Sequence, residues 1–562
     1  MDKKIAFITY ETPFAPGGGI AAVMAHLPKA LQVISTIPTY VVSPFHRNVG
    51  RTLDAESEME TIATIQIHFD SEIFTMDLLL IYQDVSWIFI KPHLMTTKHP
   101  IFFAGQRHPY DENPDILLRD SLFFGKAVAA ALPTIDPDAK WTILMQDWEA
   151  ATTSLALSGL SEEDFIFSSY LTLHNSYDKG IADADLIKIG IDPTTCPGET
   201  VLQCSLPLVK DPIFTVSEQF ALDLSTEILQ SEIMIPHIVT ALTPRLRGAN
   251  NGEFTDLNVP EYVLAAGRNS NFTTIRNWKY SNRENAFQAM DNIISSEETP
   301  VWGDLTKFVR DDAPWFIMAG RDDSRQKGYE LACSAISDFL KSDGQARFLF
   351  FPIPGDEGLA GINFIQNLAN RYPENVLGFP FQFREGYFAV MKGASYGLMP
   401  SYYEPFGMAN EFYLNGVACI GRATGGLLQQ IIPNRNQRSF SPSVQSRAER
   451  WHKSTTPPTG FLFRENDEIS SIIDDWIAIN AAEYKLYPQI PDRLQQRSGL
   501  DLFQAMKSEL FSCLEEATKL YSSQPNLYYR LIINGISHIT NNFSWNRTAR
   551  IYSECIQEGG FD

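Results

Sequence analysis

At 562 residues the chain is longer than one hydrophobic core usually supports, so two large domains are expected. Its 45 Lys and Arg against 67 Asp and Glu give a formal net charge of −22, which disfavours nucleic acids and anionic membranes as partners. The cysteines are scattered without a C-x-x-C pair, a pattern typical of a reduced, cytoplasmic protein. The longest apolar stretch, residues 78–90, is interrupted by Gln83 and Asp84, so no membrane-spanning segment is predicted.

Short runs of branched and aromatic residues alternate with helical patterns in both halves of the chain, which is typical of parallel strands joined by crossover helices. In the first half, the predicted strands are residues 5–10, 39–43, 142–146, 170–173 and 213–216. In the second half, they are residues 263–266, 315–319, 348–352, 376–379, 396–399 and 417–420. The predicted fold class is therefore α/β, with two doubly wound, Rossmann-like domains.

The predicted domains are residues 1–243 and 261–530, joined by a linker at residues 244–260. Residues 531–562 are predicted to form a helical segment that packs on the first domain, since Trp545, Ala549 and Tyr552 are spaced to share one helix face. The linker is assigned by its weak hydrophobic periodicity and its turn-forming residues, which are Pro244, Gly248, Gly252 and Pro260.

Three consecutive glycines, Gly17, Gly18 and Gly19, stand between the first predicted strand and a helix predicted at residues 21–32. Glycines let a ligand approach the backbone closely, and the N–H groups at a helix start attract an anion. A tight turn without a ligand is an equally open interpretation.

Arg321 and Lys327 follow the strand predicted at residues 315–319, at the edge where doubly wound sheets bind ligands. Two cations at this edge can neutralise a diphosphate, and such a pair is informative in a chain of net charge −22. The alternative is a surface loop in which both cations pair with nearby acids, namely Asp322, Asp323 or Glu330.

Glu404 lies at a turn after the strand predicted at residues 396–399, where a carboxylate can accept hydrogen bonds from sugar hydroxyls. A second glycine-rich turn, Thr424-Gly425-Gly426, follows the next predicted strand and offers main-chain N–H groups. The alternative for Glu404 is a simple helix cap. Two such turns, each after a buried strand, favour a binding site.

These motifs, in this order along nearly the whole chain, resemble those of bacterial glycogen synthases and plant starch synthases. In the first half, the similar segments are Gly18-Gly19-Ile20-Ala21, Leu27-Pro28-Lys29-Ala30-Leu31, Asp147-Trp148, His174-Asn175 and Thr215-Val216-Ser217. In the middle and second half, they are Asn251-Gly252, Gly320-Arg321, Gln326-Lys327-Gly328, Pro400-Ser401, Glu404-Pro405, Gly407 and Thr424-Gly425-Gly426-Leu427. Phe543-Ser544-Trp545 resembles the family's C-terminal F-S-W helix, which returns to the N-terminal lobe.

The resemblance implies the GT-B fold, in which two Rossmann-like domains face a central cleft. It identifies Glu404, Lys327, Arg321 and His174 as catalytic residues. In the family's pattern, the two cations hold the donor diphosphate, Glu404 holds the transferred sugar, and His174 lies beside that sugar. The residues implied for donor binding are Gly18, Gly19, Asn175, Glu411, Thr424, Gly425 and Gly426, and those implied for the acceptor side are Asp147 and Trp148.

The chain departs from the family's pattern at several of these positions. Pro16 stands where the family's early K-x-G-G-L motif has lysine, and Gln146 and Glu149 replace the two histidines of H-D-W-H. Arg321 and Lys327 are one residue further apart than in G-R-x4-K-G. The segment from Glu404 to Gly416 is one residue shorter than usual, which matches Glu411 to the second glutamate of the E-x7-E pattern, a ribose ligand in related transferases. These changes bear on polyglucan synthesis and on the use of ADP-glucose.

The function implied by the resemblance is that of a retaining hexosyltransferase that needs no cofactor and no metal. It would move a hexose such as glucose from an ADP-, UDP- or GDP-hexose to a carbohydrate or glycosylated acceptor. Two alternatives stay open: a transferase that modifies a protein, and a pseudoenzyme that binds nucleotide sugars without transfer.

Overall fold

A computed structural model describes residues 2–47, 49, 58–93, 102–103, 109–110, 113–160, 165–196, 198–355, 357–466, 468–481 and 492–560. The chain forms two compact units: unit 1 comprises Met1–Phe254 and Ser544–Asp562, and unit 2 comprises Thr255–Phe543. The chain therefore enters unit 2 within the linker predicted at residues 244–260. It returns to unit 1 at Ser544, beyond the boundary predicted at residue 531.

The strands described in unit 1 form one sheet in the order β3-β4-β5-β2-β1-β6-β7-β8-β9. β4 is antiparallel to both β3 and β5, and the other neighbours are parallel. The strand bounds are β1 Lys3–Ile8, β2 Thr39–Pro44, β3 Glu60–Phe69, β4 Glu72–Gln83, β5 Val85–Pro92, β6 Lys140–Gln146, β7 Phe167–Leu173, β8 Ile213–Thr215 and β9 Leu246–Gly248.

The antiparallel strands β3, β4 and β5 were not predicted. Along β3 the side chains of Ile65, Ile67 and Phe69 are buried, whereas the residues between them are exposed. This alternation is typical of a strand with one covered and one solvated face. The sheet of unit 1 therefore carries an antiparallel edge beside its parallel core.

The helices of unit 1 that precede unit 2 connect and cover these strands. Their bounds are α1 Gly19–Ser35, α2 Pro114–Ile135, α3 Asp147–Leu157, α4 Asp183–Lys188, α5 Val201–Ser205, α6 Glu218–Thr226 and α7 Val239–Leu242. Short 3₁₀ turns lie at Pro193–Thr195, Leu206–Leu208 and Thr243–Arg245, and a π-helical turn lies at Leu229–Met234.

The strands described in unit 2 form an all-parallel sheet in the order β12-β11-β10-β13-β14-β15. The strand bounds are β10 Trp315–Arg321, β11 Arg347–Ile353, β12 Val376–Gly378, β13 Tyr396–Met399, β14 Ala418–Arg422 and β15 Gly460–Phe463. The helix bounds are α8 Glu261–Arg268, α9 Phe272–Asp291, α10 Tyr329–Lys341, α11 Gly358–Gly361, α12 Asn363–Arg371, α13 Tyr387–Gly393, α14 Ala409–Leu414, α15 Leu427–Gln430, α16 Pro442–Ala448, α17 Ile472–Asn480, α18 Arg493–Arg497, α19 Asp501–Ser523 and α20 Pro525–Asn542.

The strand predicted at residues 263–266 is wrong, because these residues lie in helix α8. An apolar run as short as this one is compatible with either a strand or a helix. The helix buries Val263, Leu264 and Ala266 on one side and leaves Glu261 and Tyr262 exposed. Every other predicted strand overlaps an observed strand, so the alternation of strands and helices is confirmed.

The last helix, α21 Trp545–Gly560, packs in the core of unit 1. Trp545, Ala549 and Tyr552 are all buried there, so the prediction that they share one face is confirmed. The Trp545 indole donates a hydrogen bond of 2.6 Å to the carbonyl oxygen of Glu253. At Gly252, a Cβ atom would lie 2.4 Å from the main-chain nitrogen of Trp545, so only glycine allows this close approach.

Cys196 and Cys204 are joined by a disulfide, which the cysteine pattern did not predict. Cys333, Cys419 and Cys513, all of which lie in the described ranges, are buried free thiols. Within those same ranges, no helix combines the length and the apolar character needed to cross a membrane.

The packing of α21 can be tested by replacing Trp545 with alanine. We expect Trp545→Ala to lower the free energy of unfolding by about 3 kcal/mol, because it removes a buried aromatic side chain and leaves a cavity. Chemical denaturation would measure the change. The control is Arg550→Ala on the exposed side of the same helix, for which we expect a change below about 0.5 kcal/mol. Equal effects of the two substitutions would contradict the packing described here.

Candidate functional site

The order of strands in unit 2 brings three predicted site segments to one edge of its sheet. β13 lies between β10 and β14, and the three strands are parallel. Their carboxyl ends therefore deliver residues 321–328, 400–407 and 423–427 to the same side. This is the edge at which open α/β sheets bind their ligands.

Glu404 is the centre of this edge, and its buried carboxylate is contacted by side chains from two segments. Lys327 Nζ lies 2.8 Å from Glu404 Oε2, and the Ser401 hydroxyl donates to the same oxygen at 2.9 Å. Gln326 Nε2 donates to Glu404 Oε1 at 3.2 Å. The structure thus brings the Lys327 ammonium and the Glu404 carboxylate into direct contact. It also excludes, for Lys327, the alternative of a pair with a neighbouring acid.

The backbones of the first two segments are also joined directly. The N–H of Tyr402 donates to the carbonyl oxygen of Gln326 at 2.7 Å. Gly328 has φ +67°, and a Cβ atom there would lie 2.5 Å from the carbonyl oxygen of Pro400. A glycine is therefore required where these two segments cross.

The glycine turn after β14 packs against the main chain of Glu404. The N–H of Gly426 donates to the Glu404 carbonyl oxygen at 3.1 Å. Gly425 has φ +48°, and a Cβ atom there would lie only 1.6 Å from that same oxygen. Thr424 is buried beside the turn, and α15 begins directly after it, at Leu427. The turn and the acid are therefore one local structure.

The alternative that Glu404 caps a helix is wrong, because the residue that precedes α14 is Met408. Arg321 is the last residue of β10 and is half-buried at the same sheet edge. The backbone of Arg321 is paired with that of Ile353 at the end of β11, so it lies within the sheet.

Glu411 lies in the first turn of α14 and is half-buried. Burial raises the pKa of its carboxyl from the ordinary 4.5 to about 7, although nearby Lys327 acts in the opposite direction. No hydrogen bond from the described residues reaches this carboxylate in the structure. Glu411 is thus a carboxyl close to the Lys327 ammonium with capacity left to bind a polar group.

In unit 1, the carboxylate of Glu11 accepts hydrogen bonds from main-chain N–H groups at the predicted glycine turn and at the start of α1. Its Oε1 accepts from the N–H of Gly18 at 2.5 Å and from that of Ala21 at 2.9 Å, and Tyr110 donates to Oε2 at 3.0 Å. A buried carboxylate of the protein itself therefore holds the start of α1. At Gly19, a Cβ atom would meet no atom within 4 Å, so space is open there.

No motif in the sequence singled out Glu11. Burial raises the pKa of its carboxyl, while the N–H donors of Gly18 and Ala21 act against the rise. The available signal was its place directly between the first strand and the glycine turn, where an acid can satisfy the N–H groups of a helix start.

His174, Asn175 and Asp147 meet at the carboxyl ends of the neighbouring strands β6 and β7. The carboxylate of Asp147 accepts from the main-chain N–H of His174 at 2.6 Å and from the Asn175 side chain at 2.7 Å. His174 Nε2 lies 2.8 Å from Gln146 Oε1, in a hydrogen bond that fixes the ring. Trp148 is buried next to Asp147 at the start of α3.

Burial is the main cause of the pKa shifts of His174 and Glu149. Burial lowers the pKa of His174 to about 3, so the imidazole is neutral at physiological pH. Burial and the neighbouring carboxylate of Asp147 raise the pKa of Glu149 well above its ordinary value. Unit 1 therefore offers a neutral, oriented imidazole for hydrogen bonding instead of a cation.

Gly425→Ala tests the turn at Glu404. The new methyl group would collide with the Glu404 carbonyl oxygen at a positive φ, so we expect the free energy of unfolding to fall by more than about 1 kcal/mol. Denaturant titration would measure the fall. Gly499→Ala is the control, because a Cβ atom there meets nothing within 4 Å. Equal stability of both variants would contradict the described turn.

Glu411→Gln tests the titration of Glu411. At pH 5 the carboxyl is protonated and resembles the amide, whereas at pH 8, above its pKa of about 7, the wild type carries a partly buried charge. The stability of the wild type relative to Glu411→Gln should therefore fall between pH 5 and pH 8. Melting temperatures of both proteins at the two pH values would measure this. A difference that does not change with pH would contradict the raised pKa.

Residues 4–233 match the family model for the starch synthase catalytic domain. The glycogen synthase of Thermosipho melanesiensis is 25% identical over 451 residues, which are 76% of this chain and 85% of that protein. The glycogen synthase of Kosmotoga olearia is 23% identical over 566 residues, with 98% of this chain and 96% of the relative covered.

Among solved structures, the chain is similar to the catalytic domain of starch synthase IV from Arabidopsis thaliana bound to ADP and acarbose. The TM-score is 0.68 at 16% identity, and 99% of each chain is covered, which shows the fold. The resemblance predicted from the motifs is therefore confirmed: the chain is similar to glycogen and starch synthases in sequence, and it has the GT-B fold.

Proposed function

We propose that the chain is a retaining hexosyltransferase that moves glucose from a nucleotide sugar to a carbohydrate acceptor. The observation that carries the proposal is the contact of 2.8 Å between Lys327 and Glu404 at the carboxyl edge of the unit 2 sheet. A cation for phosphate and a carboxylate for sugar hydroxyls are next to each other there. The Gly425–Gly426 turn packs on the same acid.

In the proposed reaction, the bond between the sugar C1 and the phosphate oxygen breaks, and its electron pair leaves with the diphosphate. An acceptor hydroxyl oxygen forms the new bond to C1 on the same face, and its proton passes to the phosphate oxygen of the leaving diphosphate. Lys327 and Arg321 stabilise the negative charge that develops on the leaving diphosphate. Glu404 accepts hydrogen bonds from the sugar hydroxyls and so orients C1.

The proposed roles of Glu411, His174 and Asp147 follow from their chemistry. Glu411, near Lys327, binds the ribose hydroxyls of the donor. His174 is held neutral, which suits a hydrogen bond to a sugar hydroxyl, and Asp147 fixes the main chain around it. None of these roles uses a metal ion, and we propose that the reaction proceeds in the presence of a chelator.

The experiment is to measure nucleoside diphosphate release from ADP-, UDP- and GDP-glucose with glycogen, small sugars or cell lysate as acceptor. ADP-glucose is the first donor to test, since the similar starch synthase IV was solved with ADP. Release that depends on glycogen or a small sugar supports the proposal. Transfer only to lysate protein would replace it with a protein-modifying transferase, and donor binding without release would replace it with a pseudoenzyme.

Lys327→Ala and Arg321→Ala test the proposed phosphate cations. We expect each to lower the transfer rate on the order of 100- to 1,000-fold, because each removes a preorganised donor to the leaving group. The matched control is Lys341→Ala, whose exposed ammonium pairs with Asp338 on the surface of α10. An unchanged rate in either site variant would remove that residue from the proposed mechanism.

A further inference from the structure

Two arginines of the short helix α18 are buried behind the segment that carries Arg321 and Lys327. Arg493 and Arg497 are each about 1% exposed, which is unusual for arginine. They stand four positions apart, so their side chains lie on one face of the helix. No motif in the sequence singles them out.

Arg493 holds the residue that follows Arg321. Its guanidinium donates to both carboxylate oxygens of Asp322, at 2.6 and 3.2 Å, and its Nε lies 3.1 Å from Glu330 Oε2. A two-pronged pair of this kind fixes orientation as well as distance. The carboxylate directly beside the proposed phosphate cation is therefore anchored from inside the unit.

Arg497 holds the middle of the same segment and links it to Glu404. Its Nη1 donates to the carbonyl oxygen of Ser324 at 2.8 Å and also pairs with Glu330 Oε1. That carboxylate oxygen accepts from the Tyr402 hydroxyl at 2.6 Å, and Tyr402 lies in the segment that delivers Glu404. Glu330 thus joins both sides of the site.

Glu330, at the centre of this buried network, is held as a charged carboxylate by the two arginines. Burial alone would raise the pKa of Glu330, but Arg493 and Arg497 lower it below its ordinary value. Buried ion pairs of this kind often add little net stability, because the cost of removing the charges from water offsets their attraction. The ion pairs nevertheless fix geometry, because each arginine sets the orientation of the carboxylate that it contacts.

The segment they hold is bounded by glycines. Gly320 has φ +119° and Gly328 has φ +67°, so both ends adopt backbone conformations open mainly to glycine. A loop flanked by two glycines loses more conformational freedom when it becomes ordered than a loop flanked by other residues. Contacts along residues 322–326 are what restrict it.

We propose that Arg493 and Arg497 are positioning residues that set Arg321 and Lys327 at the correct distance from Glu404 for a sugar diphosphate. They act through Asp322, Ser324 and Glu330 and do not touch the donor. This inference rests on the proposed function, because it assigns these arginines to the same donor site.

Two variants and one control test the inference by isothermal titration calorimetry with ADP, UDP and GDP, well below each melting temperature. Arg497→Lys keeps a cation but cannot make all three contacts of the guanidinium, which are those to Ser324 and Glu330 and one from Nη2 to the carbonyl oxygen of Ile479. Tyr402→Phe removes only the hydroxyl that joins Glu330 to the Glu404 segment. The control is Arg347→Lys, which alters the pair between the buried Arg347 guanidinium and the exposed Asp311 carboxylate, at the start of β11 and so at the opposite end of the sheet.

We expect both site variants to bind the preferred nucleoside diphosphate roughly tenfold more weakly than the wild type. The control should lose thermal stability but keep its affinity within about twofold. Wild-type affinity in both site variants, or an equal loss in the control, would overturn the inference while leaving the proposed function intact. Failure of the wild type to bind any of the three nucleotides would instead overturn the proposed function and the inference together.

Discussion

The carboxylate of Glu404 is the point on which the site in unit 2 depends. It is buried, so its charge requires donors, and Lys327, Ser401 and Gln326 supply them within 3.2 Å. Its carbonyl oxygen is engaged as well, by the N–H of Gly426. Side chain and main chain of one residue thus hold together the segments that follow β10, β13 and β14. The glycines at 328 and 425 follow from this constraint, because any Cβ atom would separate those segments.

Charge is distributed differently in the two units. In unit 2, the buried acids Asp322, Glu330 and Glu404 each meet a cation, which suits a site proposed to receive a diphosphate. In unit 1, Glu11 and Asp147 are satisfied mainly by N–H donors, and burial keeps His174 neutral. A site that must bind a polyanion needs cations, whereas one that binds uncharged hydroxyl groups needs oriented dipoles. The two groups of residues fit these two tasks.

The return of the chain to unit 1 places Trp545 in a core built mainly from the first half of the sequence. Its indole contacts the main chain near Gly252, just before the chain enters unit 2. Within unit 1, the segment just before residue 255 is therefore packed against the segment that begins at Ser544.

The sequence alone determined the alternation of strands and helices, the helical C-terminal segment and the positions of Arg321, Lys327, Glu404 and the glycine turn at strand ends. These features are local, because they depend on periodicity and on residues within one turn or strand. The antiparallel strands β3–β5, the helix at residues 261–268, and the roles of Glu11, Arg493 and Arg497 were not predicted. The partner of Lys327 was decided only by the tertiary structure: Glu404 is 77 positions away, whereas Asp322, Asp323 and Glu330 are close in sequence. The order of strands in the sheet brings such distant residues together. That order depends on how the strands and helices pack against one another, and no sequence pattern within a single strand or helix specifies it.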